Sequence, residues 1–414
     1  MDSRYNDDMI FRGKKIMKKA LIAMSGGVDS SVAAAIMQDR GYECVGVTMK
    51  LYDKDEVGID ESVKTSCSLD GIEDARKVAN QLGIPFKVID FSSDFRSCVI
   101  DRFVECYMNG MTPNPCVDCN RNLKFGQLYK AAHELGCDTI VTGHYARIIC
   151  GDASSNTTGN GEIDSVDGGS GAASATGRYM LAKGVSEDKD QSYVLYNLSQ
   201  EQLAHTQFPV GELSKDEVRR IAEEKGLVVA HKHDSQDICF IPDGDYKSFL
   251  EKYTGRKWPE GNFVDDDGNV LGRHKGICCY TIGQRKGLGI AFGHPVFVSE
   301  IRPETNEVVL SDSESLMYRT CYAKNFNWVS IPKPDGPIKV LGKIRYKARE
   351  AAGIAVCEEL NVHLHTDGLH NTQAGSVVKM TFDQPQRAIT DGQSLVLYDG
   401  DKVIGGGVIC GKEK

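Results

Sequence analysis

The sequence predicts an α/β fold: a parallel sheet with crossover helices, then a small central domain and a C-terminal antiparallel β-barrel. Three observations carry that prediction. Short apolar runs alternate with helical patterns over the first half of the chain, the mark of strand–helix–strand units. From about Gly261 the pattern changes to short runs separated by Gly, Asp, Asn and Pro, the spacing of antiparallel strands that close on themselves. The 414 residues also exceed what one hydrophobic core usually serves, so two or three domains are expected.

In order along the chain, residues 1–16 are polar and read as an extension ahead of Met17. Lys19–Met24 and Cys44–Leu51 are expected strands, with Ser30–Arg40 a helix between them. A helix at Glu73–Leu82 and strands at Phe86–Asp90 and Asp138–Thr142 follow. Residues 151–177 are rich in Gly, Ser, Thr, Asn and Asp, too poor in apolar side chains to pack, and read as a flexible surface insertion. Lys215–Lys225 has a helical pattern ended by Gly226. The late runs Gly276–Ile282, Ile338–Tyr346, Gly353–Cys357, Ser376–Phe382 and Ser394–Tyr398 are expected strands. Domains are therefore drawn at 17–240, 241–312 and 313–414.

No apolar run approaches the ~20 residues that span a bilayer, and the N-terminus has no signal-peptide core. The expectation is a cytoplasmic protein with no membrane partner. Fourteen cysteines in such a chain point to thiols, metal or catalysis rather than to a disulfide framework. Cys44, Cys137 and Cys357 sit among apolar residues and are expected to pack as small hydrophobes. The net charge of −9 gives no compositional support for a nucleic-acid partner. Support must come from local patches, and one exists: Lys343, Arg345, Lys347 and Arg349 alternate with Ile344, Tyr346 and Ala348. On a strand, that alternation puts four cations on one face.

Ser25-Gly26-Gly27-Val28-Asp29-Ser30 follows a strand and opens a helix. Two glycines let backbone N–H groups approach a ligand closely. With the helix N-terminus they form a cradle for phosphate oxygens. No Gly-Lys-Ser/Thr is present, so this is not the P-loop whose lysine serves the γ-phosphate. The loop resembles that of the N-type ATP pyrophosphatases, which split ATP between its α- and β-phosphates. In that setting Asp29 would position Mg²⁺ or the loop itself.

Asn114-Pro115-Cys116-Val117-Asp118-Cys119 contains C-x-x-C, compatible with a redox dithiol, half a zinc site or two iron–sulfur ligands. A zinc ribbon wants a second C-x-x-C, which the sequence lacks. Cys239 lies in the polar-then-apolar stretch Asp234–Phe240. Cys278 and Cys279 are adjacent, and on a strand they would point to opposite faces.

These stretches belong to a longer series. SGGVDSSVAA, Met49, NPCVDCNRNLKFG, TGHYA (Thr142–Ala146), KDQSY (Lys189–Tyr193), FPVGELSKDEVR, DSQDICFI, TIGQRKGLGI (Thr281–Ile290) and GKIRYKAR run in order over nearly the whole chain. Together they resemble the tRNA-specific 2-thiouridylase family. The resemblance implies an ATP-pyrophosphatase (HUP, Rossmann-like) domain, a central domain and a barrel that helps hold tRNA. It implies ATP-dependent 2-thiolation of the wobble uridine in tRNAs for Lys, Glu and Gln, with Mg²⁺ and a sulfur-donating carrier or cysteine desulfurase as partner. Ala23, Met24, Ser25, Gly26, Gly27, Val28, Asp29, Ser30, Met49 and Gly143 would bind ATP. Asn114, Pro115 and Cys116 would contact the target base. His144, Lys189, Asp190, Gln191, Arg345, Tyr346 and Gln393 would contact tRNA.

By the same resemblance, Cys239 carries a persulfide and Cys119 is the nucleophile that acts on it, releasing sulfide or closing a disulfide. One departure matters: the familiar form of the family has Asp where this chain has Cys116. Cys116, Cys119 and Cys239 together would suffice for a [4Fe-4S] cluster with one open iron, so the persulfide and cluster routes both stay open on sequence. Two other readings fit SGGVDS alone: a pyrophosphatase-loop ligase acting on a small molecule, and a non-catalytic nucleotide-binding module. The ligase leaves the distant cysteines and the basic stretch without a task, and the module makes the cysteines structural or metal-bound.

Overall fold

The computed structural model describes residues 18–57, 69–151, 177–232, 238–359 and 376–414. The N-terminal extension, nearly all of the Gly/Ser-rich insertion, and Asp234–Asp237 of DSQDICFI lie outside the described residues.

The first unit is built on a parallel sheet of β1 (Lys19–Ala23), β2 (Glu43–Lys50), β3 (Phe86–Asp90), β4 (Thr139–Val141) and a short later strand, Thr206–Gln207. Its spatial order is β3-β2-β1-β4 followed by Thr206–Gln207. Leu21 and Ile22 of β1 are completely buried, as expected for a parallel strand covered on both faces. Helix α1 (Val28–Asp39) packs on one face through Val32, Ala33, Ala34 and Met37. Its alanines favour helix and leave room for close packing. Leu21, Val45, Val47, Leu128 and Ile140 form the core on the other face. The chain order reverses between β1 and β4, and in open α/β sheets ligands bind at the carboxyl ends of strands at that switch point.

After β4 come the hairpin β5 (Ala146–Cys150) and β6 (Tyr179–Lys183), and Thr206–Gln207 is β7. The central unit is a four-stranded sheet of β8 (Gly261–Val264), β9 (Val270–His274), β10 (Phe297–Arg302) and β11 (Glu307–Ser311), in the order β10-β11-β8-β9. The last unit contains β12 (Met317–Asn327), β13 (Ile338–Lys343), β14 (Ala351–Glu359), β15 (Ser376–Arg387), β16 (Ser394–Asp399) and β17 (Lys402–Glu413). Antiparallel pairing runs β12-β15-β14-β13-β16-β17 and returns from β17 to β12, which closes a six-stranded barrel. Cys321, Ala355, Met380, Phe382, Leu395 and Leu397 fill its interior. The β5–β6 hairpin, whose ends bracket the insertion, pairs through β6 with β17 and so splices the first unit onto the barrel.

Two expected strands are corrected. Gly276–Ile282 is not a strand: Ile277–Cys279 is one tight 3₁₀ turn entered through Gly276 at φ +119°, a conformation that breaks a ladder and favours glycine. Ile338–Tyr346 ends as a strand at Lys343, and Ile344–Ala348 turns away from the sheet. Arg345, Lys347 and Arg349 are still exposed and Ile344 is buried, but the cations line a loop rather than a strand face. Cys44 and Cys137 are buried as expected, with burial pushing the Cys44 thiol up to about 11, whereas Cys357 is only half-buried.

Candidate active site

The phosphate loop sits at the carboxyl end of β1. Its entrance is fixed by Thr48 Oγ1, which donates to the Met24 carbonyl at 2.7 Å, and by Met24 N–H, which donates to Val47 O at 2.9 Å. Gly26 adopts φ +71°, and a Cβ there would run into the carbonyl of Gly71. Gly27 is the N-cap of α1, and Ser30 Oγ bonds back to the loop, accepting from Ser25 N–H at 3.2 Å. Gly143 closes the cradle from β4. A Cβ on it would lie 2.6 Å from Ser30 N and 2.7 Å from Asp29 C. The loop after β4 thus touches backbone at the first turn of α1, and only glycine permits that approach.

Asp29 Oδ1 accepts from Tyr145 O–H at 2.7 Å and from Lys215 Nζ at 2.7 Å. Lys215 is the first residue of the helix Lys215–Glu224, placed by a capping box in which Ser214 and Glu217 bond reciprocally. Lys232 Nζ donates to the Gly26 carbonyl at 3.0 Å and to Asp74 at 2.8 Å. Two lysines therefore bracket the loop. Sequence reasoning assigned neither of them, although Lys215 lies in one of the quoted motifs. The glycine cradle, the N-terminus of a 12-residue helix and the flanking cations fit the polyphosphate of ATP. Asp29 fits Mg²⁺, which takes only one or two carboxylates when phosphates supply the rest. Met49, half-buried near the end of β2, packs beneath the same region.

The cysteine loop begins with Asn114, whose Oδ1 caps a short helix, Pro115–Cys119, by accepting from Cys116 N–H at 3.2 Å. Pro115 occupies the first turn, where its missing N–H costs nothing. Cys116 is exposed, whereas Cys119 is half-buried against a cluster built on Tyr52, Phe95, Phe103, Phe240 and Phe249. Cys239 is half-buried against the same cluster, and Tyr52 O–H donates to its carbonyl at 2.5 Å. Two thiols 120 positions apart in the chain thus share one aromatic support. Asp118 points the other way. It is buried, pairs with Arg102 at 3.1 Å, and burial raises its carboxyl to about 6 against the lowering pull of Arg102 and Arg121.

The three-thiol set does not form a metal site. Among the described residues no group of three His, Cys, Asp or Glu side chains is placed to hold a metal ion. Cys116 lies on the exposed side of its helix, while the other two pack inward. This arrangement lends the [4Fe-4S] reading no support.

Two cavities adjoin the loop. One of about 300 Å³ is lined by Asn114, Pro115, Ile238, Tyr246, Cys279 and Gln393, among others, and lies beside Cys239 through its neighbour Ile238. The other, about 430 Å³, separates the loop from the barrel, with Arg102, Asp118, Arg121, Lys324 and Asp391 on its walls.

The residues that the resemblance assigns to tRNA divide in two. Arg345 is an exposed cation and Lys189 a half-exposed one. Tyr346 is half-buried, and its O–H donates to the Asp190 carbonyl at 3.0 Å. The rest brace the structure. His144 is 6% exposed, lies between Phe125 and Phe208, and bonds through Nδ1 to Thr142 Oγ1 at 2.7 Å. Burial and Lys124 hold its pKa well below the usual imidazole range, so the ring braces the loop in its neutral form. Asp190, also buried, accepts from Gly184 N–H and Ser192 N–H through Oδ1. Gln191 Oε1 accepts from Tyr145 N–H at 3.0 Å, and Gln393 Nε2 reaches from the barrel to donate to Thr112 O at 2.8 Å.

A pyrophosphate-type loop at the switch point of a parallel sheet, in a unit that also carries two thiols on one aromatic support, defines a nucleotide-dependent enzyme of the HUP class. Family models match in sequence order: the tRNA methyl transferase HUP domain over residues 18–243, the tRNA methyl transferase PRC-barrel domain over 247–312, and the aminomethyltransferase β-barrel domain over 318–409. The tRNA-specific 2-thiouridylase MnmA of Clostridioides difficile is 47% identical over 392 residues, covering 95% of this chain and 98% of that protein. The MnmA of Lachnoclostridium phytofermentans is 44% identical, covering 95% and 99%. The chain belongs to the tRNA-specific 2-thiouridylase family.

Proposed function

We propose that the protein thiolates C2 of the wobble uridine in tRNAs for Lys, Glu and Gln, using ATP to activate the base and Cys239 to carry the sulfur. The observation that carries this reading is the shared aromatic support of Cys119 and Cys239 beside the cavity walled by Asn114 and Pro115. Although the matching family models are named for methyl transfer, a phosphate loop together with two thiols on one aromatic support suits adenylation followed by sulfur attack.

The C2 oxygen of uridine attacks the α-phosphorus of ATP and pyrophosphate leaves. The glycine cradle, Lys215 and Lys232 would offset the charge that develops on the phosphates. C2 then carries AMP as a leaving group. Cys239, loaded with sulfane sulfur by a carrier or a cysteine desulfurase, supplies the nucleophile. Either its terminal sulfur attacks C2 and expels AMP, after which Cys119 attacks the Cys239 sulfur, breaks the S–S bond to the base and closes a Cys119–Cys239 disulfide, or Cys119 attacks the inner sulfur first, closes the same disulfide and frees sulfide to attack C2 and expel AMP. Both routes leave the thiocarbonyl and a disulfide that a cellular thiol reductant opens before the next turnover. Thiolates and persulfides are the reactive forms in such steps. Arg345, Lys347 and Arg349, exposed on one loop of the barrel, suit the phosphate backbone of tRNA. The cytoplasm is the compartment that fits thiol chemistry of this kind, and no helix among the described residues is long and apolar enough to cross a membrane.

Mass spectrometry of nucleosides from a strain lacking the gene provides the test. Loss of 2-thiouridine from those three tRNAs, restored by the wild-type gene and not by Cys239→Ser, is expected. Unchanged 2-thiouridine in the deletion strain would refute the assignment.

A further inference from the structure

Cys278 and Cys279 lie outside the mechanism above, and their placement differs from what a strand would impose. The 3₁₀ turn Ile277–Cys279 aims both into the 300 Å³ cavity shared with Asn114, Pro115 and Ile238. Cys278 is buried in the aromatic cluster that supports Cys119 and Cys239, and Cys279 packs half-exposed against it. The two side chains interact: Cys278 is held up as a thiol by its hydrogen bond to Cys279 and by burial, while that bond and the nearby Lys247 ammonium draw Cys279 down. The pair is therefore a half-exposed sulfur with an adjacent buried S–H donor, lining a cavity that Ile238, the neighbour of Cys239, also lines.

We propose that Cys279 is a sulfur relay, receiving sulfane sulfur from a persulfide donor protein and passing it to Cys239. The inference rests on Cys239 acting as the persulfide carrier. In the first step the Cys279 thiolate attacks the terminal sulfur of the donor persulfide. The donor S–S bond breaks, the donor cysteine leaves as thiolate, and Cys279–S–SH forms. In the second, the Cys239 thiolate attacks that terminal sulfur and Cys279 leaves as thiolate. Each transfer exchanges one S–S bond for another, so no external oxidant or reductant enters.

The adjacent thiol serves this relay without short-circuiting it. Attack by Cys278 on the inner sulfur of Cys279–S–SH would release sulfide prematurely and close a disulfide between neighbours. Consecutive Cα atoms are ~3.8 Å apart, short of the ~4.4–6.8 Å that disulfides span. The closed form is thus strained, and Cys278 acts instead as a donor to the sulfur at Cys279.

The test loads the full chain with sulfur from a persulfidated cysteine desulfurase and maps sulfane sulfur by peptide mass spectrometry. Cys239→Ser is expected to accumulate persulfide on Cys279. Cys279→Ser and Cys279→Ala are expected to load Cys239 at least about tenfold more slowly from the protein donor. Inorganic polysulfide, small enough to reach Cys239 without the relay, should restore loading in both variants. A Cys239→Ser protein bearing no sulfur at Cys279, or Cys279 variants that load Cys239 at the wild-type rate, would overturn the relay. Undiminished tRNA thiolation by Cys239→Ser would instead remove the carrier role of Cys239, a separate failure.

Discussion

Gly143→Ala isolates the contact that joins the loop after β4 to the phosphate cradle. The new Cβ would sit 2.6 Å from Ser30 N, where ordinary contact begins at 3.4 Å, so one backbone must retreat by roughly 0.8 Å. Both neighbours are packed: Ser30 and His144 are 5% and 6% exposed. Overpacking of this kind costs about 1–3 kcal/mol of stability. A shift of that size also stretches an N–H···O bond of ~2.9 Å past the ~3.5 Å at which it stops counting as one. Losing one hydrogen bond to a charged phosphate is worth about 1.5–3 kcal/mol, which is roughly 10- to 150-fold in affinity. The assay is tRNA-dependent ATP–pyrophosphate exchange with ATP varied, alongside thermal denaturation. A raised KM for ATP with a modestly lowered Tm is expected. A Gly143→Ala enzyme with KM for ATP within twofold of wild type would refute the claim that this approach shapes the ATP site.

Lys215→Met should also raise KM for ATP by about tenfold, because Asp29 loses a 2.7 Å ion pair with a largely buried ammonium; unchanged exchange kinetics would contradict it. Asp118 gives a pH test. Its folded pKa is raised from 3.8 to about 6, so its favourable contribution is complete below 3.8 and is lost as pH rises through 6. Relative to wild type, Asp118→Asn should therefore gain up to about 3 kcal/mol between pH 4 and pH 7, read from denaturant midpoints; a pH-independent difference would count against a buried, charged Asp118. Replacing Arg345, Lys347 and Arg349 with Ala should weaken tRNA binding and flatten its dependence on log salt by about 0.7–0.9 per lost phosphate contact, measured by filter binding. An unaltered slope would place the RNA elsewhere.

The phosphate loop was legible in sequence because its causes are local. A buried parallel strand, two glycines and an alanine-rich helix each follow from residues within a few positions of one another, and β1, α1 and β2 fall within a residue or two of their expected bounds. Short-range patterns mislead where a turn is only three residues long. The run around Cys278 and Cys279 reads as a strand by composition, yet Gly276 at positive φ starts a 3₁₀ turn that sends both thiols to one cavity. The basic stretch after Lys343 fails for a related reason, since alternation of charge is compatible with a strand or with an exposed loop.

What the sequence by itself determined is the set of chemical parts: a phosphate cradle, a C-x-x-C, a distant cysteine, a patch of cations, and the order of three units along the chain. Only tertiary structure decided which of those parts meet. Lys215 reaches Asp29 across 186 positions, Cys119 and Cys239 pack on one aromatic cluster, and Cys116 stays outside it. His144 and Asp190 turn out to be buried braces. Such pairings depend on how the sheet, helices and barrel pack against each other, and no local propensity or periodicity encodes a contact between residues so far apart in the chain.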